Sequence, residues 1–158
     1  MQFGDVKFTV DMFNATVKAI TPAMLNNRMR RDGWTPERME SALRTNAPGF
    51  RLFCHEFGRS LVPGRVSSTT YAGVVAVIAR QFGVPYKAYA GFCLLRTQKG
   101  YEEQKKHYME SRENGSNMLA THVYIDVDGE IFEFMNDLES TDIDHIESQI
   151  IEEWPGKE

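Results

Sequence analysis

Ser68-Thr69-Thr70-Tyr71-Ala72-Gly73-Val74-Val75-Ala76-Val77-Ile78-Ala79-Arg80-Gln81-Phe82, followed by Gly83-Val84-Pro85, sets the architecture of the chain. No charge falls between Arg65 and Arg80. A segment apolar on every side and about fourteen residues long predicts a buried central helix. Its β-branched Val-Val-Ala-Val-Ile centre would also suit a strand. The length and the Gln81-Phe82-Gly83 stop favour the helix. Ser67-Ser68-Thr69-Thr70 offers hydroxyls to cap its start.

Outward from that helix the pattern changes on both sides. After Gly83 the period becomes two, so residues 85–94 read as a strand. His122-Val123-Tyr124-Ile125-Asp126-Val127 and Glu130-Ile131-Phe132-Glu133-Phe134 alternate around Asp128-Gly129, a strong hairpin signal. Residues 96–118 are polar and charged and read as a long insertion with a short helix near 101–112. Upstream, Thr21-Pro22 and Thr35-Pro36 mark two helix starts, with Thr as N-cap and Pro at the first helical position. Asp32-Gly33 and Ala47-Pro48-Gly49 end the helices around them. Phe50, Phe53, Cys54, Phe57 and Leu61 then fall three or four apart, the apolar face of another helix. In the tail, Thr141 or Asp142 caps an expected helix over 142–153 that Pro155-Gly156 stops. Helices first and an antiparallel meander afterwards predict an α+β domain.

The chain is expected to be one domain: residues 1–65 a helical N-terminal part, 66–137 the core, and 138–158 an acidic C-terminal helix. Its 158 residues and 42% hydrophobic content suffice for a core without disulfide or metal staples. No run approaches the ~18 apolar residues of a membrane span. No signal-like segment opens the sequence, and two cysteines, Cys54 and Cys93, suit free thiols in a reducing, cytoplasmic setting. The net charge of −4 is unevenly spread. Lys and Arg outnumber Asp and Glu ten to six over 1–65 and seven to three over 66–112, while 113–158 has one against thirteen. The acidic tail is expected to pack near the basic N-terminal third. Arg28, Arg30 and Arg31 lack interleaved aromatics, so a nucleic-acid partner is not expected.

The chain thus runs through a buried helix, a Phe82-Gly83-Val84-Pro85 turn, a strand, a loop and a hairpin opened by a histidine. It resembles the transglutaminase-like branch of the papain-type cysteine enzymes, to which arylamine N-acetyltransferases are related. The resemblance covers residues 64–137. It implies a nucleophile at the start of the central helix, a His opening the next strand, and an Asp or Asn beyond the strand after that. Fifteen residues before Gly83 stands Ser68, not Cys, with Ala72 four residues on as the family pattern has it. The His is His122. The third member is Asn136, with Asp137 and Glu133 as rivals.

The physics of such a site is plain. The positive end of the helix dipole and a paired imidazole depress a thiol's pKa. First-turn N–H groups can donate to an oxyanion. The carboxylate or amide fixes the tautomer of the His. Serine at the nucleophile position has three readings: an engineered replacement, a natural loss of catalysis with the fold kept, or a working serine, whose hydroxyl has no accessible anion near neutral pH.

Two functions follow from the resemblance. One is a hydrolase or acyltransferase acting on an amide of a protein, peptide or small acyl ligand. The other is a catalytically inactive binding protein on the same scaffold. Taken singly, each residue has a plainer role: Ser68 as a cap, His122 as a strand residue, Asn136-Asp137 as a turn pair, Cys54 and Cys93 as buried thiols. No cofactor is expected. Without CxxC or HxxxH spacing, no metal site is expected among Cys54, Cys93, His55, His107, His122 and His145.

Overall fold

A computed structural model describes residues 3–62, 67–110, 120–134 and 142–156. Four helices come first: α1 (Phe3–Ala19), α2 (Pro22–Arg31), α3 (Pro36–Thr45) and α4 (Pro48–Leu61). The Thr21 and Thr35 side chains accept from the backbone N–H of Met24 and Arg38, each at 3.2 Å. Each therefore satisfies one of the orphan donors of the helix it opens. α4 starts at Pro48 with Ala47 as its cap and no side-chain cap bond. α3 ends at Asn46, which takes the left-handed conformation at φ 49° and lets the chain turn directly into α4.

The central helix α5 (Ser68–Gln81) forms where expected. Tyr71, Ala72, Val74, Val75, Ala76, Ile78 and Ala79 on it are all buried. Its cap is Ser67, whose hydroxyl accepts from Thr70 N–H at 3.2 Å. α1 lies across α5 at Gly73, where an added Cβ would stand 2.5 Å from Thr16 Cγ2. A small residue is thus required at the crossing.

Among the described residues the sheet is antiparallel with four strands in the order β3-β2-β1-β4: β1 (Tyr86–Leu95), β2 (Ala120–Val127), β3 (Glu130–Phe132) and β4 (Ile143–Trp154). The short helix α6 (Tyr101–Glu110) follows β1. Asp128 and Gly129 form the β2–β3 turn with φ 50° and 90°, the left-handed pair that a two-residue hairpin needs. Val123, Ile125 and Val127 of β2, with Ala88, Ala90 and Phe92 of β1, join the apolar core built with the helices. Helices and an antiparallel sheet around one core make the fold α+β, as expected.

The acidic C-terminal helix expected over 138–158 is not there. Residues 143–154 form β4, hydrogen-bonded along the whole of β1. The reason is the open edge of β1. β2 pairs with one side only, and the unsatisfied N–H and C=O groups on the other side demand a strand. That long-range demand overrides the local cap and stop signals. Register shifts at Ala88/Tyr89 and Phe92/Cys93 accommodate the pairing.

Acidic residues of β4 find cationic partners. Glu152 of β4 is 2.5 Å from Arg80 and also accepts from the Tyr86 hydroxyl. Asp144 meets Lys105 at 2.9 Å and Arg96 at 3.4 Å. These acidic groups of β4 thus pair with cations of the middle third, because their strand lies beside β1, while Asn46 and Phe50 of the N-terminal third meet Ile131 and Phe132 of the C-terminal third. Among the described residues no helix is long and apolar enough to cross a membrane.

Candidate functional site

His122 sits near the start of β2, opposite Gly91 of β1. Alternation along the strand sends Val123 and Ile125 into the helical core and leaves His122 and Tyr124 on the other face. There the His122 ring lies 5.8 Å from that of His145 and 6.1 Å from that of Tyr124. The residue is 1% exposed. Its Nε2 lies 2.6 Å from Oε1 of Glu133, a buried carboxylate just past the end of β3. Facing a carboxylate, Nε2 donates, which in the neutral ring leaves Nδ1 as the acceptor. Nδ1 is buried with no hydrogen-bond partner among the described residues.

The same Oε1 accepts from Nε2 of His145 on β4, at 2.8 Å. The His145 side chain is 23% exposed. Glu133 thus ties together β2 and β4, which β1 separates. At Gly91, its partner position to His122, β1 carries no side chain to stand between the two rings.

Ser68 is the first residue of α5. Ser67 does the capping, so the plainer role considered for Ser68 falls to its neighbour. The Ser68 hydroxyl is not hydrogen-bonded to His122, whose two nitrogens are accounted for above. α5 nevertheless reaches the cluster. Tyr71, one turn after Ser68, packs its ring 5.8 Å from Phe134, the residue next to Glu133. Tyr71's phenol is pushed up by burial and then by the charges of Cys54 and Glu133, the nearby Arg51 opposing them. In the first turn, Thr70 N–H is held by the Ser67 hydroxyl and Tyr71 N–H by the Ser67 carbonyl.

Asn136 and Asp137 lie outside the described residues. Glu133, one of their rivals as the partner of His122, holds that place here. Cys54 and Cys93 are both buried, and neither is in a disulfide. Burial raises the Cys54 thiol; burial, then the Glu133 charge, pushes Cys93 up to about 12. Neither is poised as a nucleophile.

Sequence reasoning missed the convergence of His122, Glu133 and His145, whose donor atoms lie within 4.8 Å of one another. Spacing could not reveal it, because strand pairing and not a short motif assembles the three. The one available signal was two histidines at the starts of strands flanking a common neighbour, and it needed β4 to be recognised as a strand. A separate open cleft of about 520 Å³ lies at one end of the sheet among Pro85, Tyr86, Asp126 and Trp154, and His122 does not line it. Comparisons with family models, curated proteins and solved structures gave no match to this chain.

Proposed function

We propose that the chain is a transglutaminase-like protein whose site is built for acyl chemistry at an amide, with His122 as the proton-transfer group, Glu133 as its orienting partner and Ser68 in the nucleophile's place. One observation carries the reading: a buried imidazole whose Nε2 is anchored on a buried carboxylate and whose Nδ1 has no hydrogen-bond partner among the described residues. That is the arrangement a general base needs. The order of central helix, Gly83-Val84-Pro85 turn, strand and His-opened hairpin agrees with it, as does the approach of Tyr71 to Phe134.

Nδ1 of His122 takes the proton of the nucleophile on residue 68 as it attacks the amide carbonyl carbon. The Glu133 carboxylate keeps the proton on Nε2 and stabilises the imidazolium that forms. The first-turn N–H groups of Ser68 and Thr69, not used by the Ser67 cap, face the developing oxyanion with the positive end of the α5 dipole behind them. His122 then returns its proton to the leaving amine. Water or a second amine resolves the acyl intermediate, giving hydrolysis or transfer.

A second reading is a catalytically inactive binding protein on the same scaffold. Its support is the serine itself and the absence of a Ser68–His122 hydrogen bond. Substituting Ser68→Cys and following alkylation against pH decides between them. Under the acyl reading the thiol ionises well below its free value of ~8.5. His122→Ala then restores ordinary thiol behaviour, and Glu133→Gln shifts the profile part of the way. A thiol that titrates near ~8.5 and ignores both changes leaves only the binding protein.

A further inference from the structure

We propose that His122, Glu133 and His145 form a binding site for a divalent transition-metal cation of the zinc class, and that this cation, when bound, switches off the base. The donor set is two imidazole nitrogens and one carboxylate oxygen, the ligand types that Zn²⁺ takes with one position left open. All three donor atoms fall within 4.8 Å of one another. They come from two strands that flank β1 and from the residue after β3, so sheet pairing fixes their relative positions. His122 and Glu133 are buried, while the 23% exposure of His145 gives a cation a route in.

The fit requires side-chain adjustment. The two Nε2···Oε1 separations are 2.6 and 2.8 Å. Donors bound to zinc at ~2.0–2.2 Å in a tetrahedron sit ~3.3 Å apart. The Glu133 carboxylate must therefore draw back from each ring by roughly half an ångström, and the two imidazole nitrogens, which lie within 4.8 Å of each other, must settle at that same spacing by small side-chain rotations. No proton need leave the rings. Each imidazole exchanges its Nε2–H tautomer for the Nδ1–H tautomer and binds through Nε2. At His122 that puts a proton on the atom that would otherwise accept one, so the metal-bound ring cannot serve as the base. The N–H so formed is buried without a partner among the described residues, which weakens binding and makes it reversible.

The test is a zinc titration of the untagged full chain by calorimetry, with cobalt substitution read by its visible spectrum. One equivalent should bind. The cobalt spectrum should show nitrogen and oxygen donors and no thiolate charge-transfer band, since Cys54 and Cys93 lie outside the set. His145→Ala and Glu133→Gln should each weaken binding at least about tenfold, and His107→Ala should leave it unchanged. If His145→Ala does not reproduce the wild-type circular dichroism, His145→Gln replaces it. Equal affinity in wild type and the His145 variant, or loss with His107→Ala, overturns the proposal. The titration uses no nucleophile at residue 68. Its failure therefore leaves the alkylation result standing, and failure of the alkylation test leaves the metal site standing.

Discussion

Replacing Gly73 with alanine should destabilise the protein, although alanine is the better helix former. At this position α1 crosses α5, and an added Cβ would stand 2.5 Å from Thr16 Cγ2 and 2.8 Å from Thr16 Cβ. Ordinary contact begins near 3.4 Å, so α1 must retreat by up to about 1 Å or Thr16 must turn away. Turning is opposed, because the Thr16 hydroxyl is bonded to the Met12 carbonyl at 2.9 Å and a β-branched side chain in a helix has few rotamers. Overpacking of this kind costs about 1–3 kcal/mol. Removing glycine from a helix interior returns up to about 1 kcal/mol. The net loss is about 1–2 kcal/mol, or roughly 3–6 °C in Tm for a chain of this size. Thermal and urea unfolding followed by circular dichroism would measure it. The double variant Gly73→Ala with Thr16→Gly should lose less than the sum of the single changes, because the clash is shared. A Gly73→Ala protein as stable as wild type, or additive single effects, would refute the close crossing. It would also remove the packing that sets where the first turn of α5 lies.

Two further outcomes follow from buried and paired groups. Burial raises the Asp144 carboxyl, but the Tyr101 hydroxyl, Lys105 and Arg96 outweigh that and hold it below the usual carboxylate range. A lowered folded pKa adds stability that is fully present above the unfolded value of ~3.9 and is lost as pH falls through the folded one. Asp144→Asn should therefore lower the urea midpoint at pH 7, with the gap to wild type closing below about pH 4; a gap that persists at low pH would count against the charge interaction. Cys54 and Cys93, both buried and with raised pKa values, should stay unreactive toward a disulfide reagent at pH 8 until denaturant is added. Fast labelling of either in the native state would show the sheet or α4 to be more open than described.

What the sequence determined by itself were the features that depend on near neighbours. The Thr-Pro pairs fix the starts of α2 and α3 because cap and proline act within one turn. The uncharged run from Ser68 forms α5 because its Ala, Val and Ile residues are apolar on every side of a helix, and Asp128-Gly129 fixes the hairpin because only such residues accept two positive φ angles cheaply. Of the candidate site, Ser68 at the head of α5 and His122 on β2 were legible for the same reason. Tertiary structure decided the rest. Residues 143–154 carry helix-like caps, yet they become a strand because β1 has a second edge to satisfy, a requirement no local window contains. Only that pairing brings His145 to Glu133. Only the hairpin register lets Glu133 reach His122, since a slip of one residue would turn its carboxylate to the opposite face. The cluster is thus a product of strand order, and strand order is set by backbone hydrogen bonds between residues far apart in the chain.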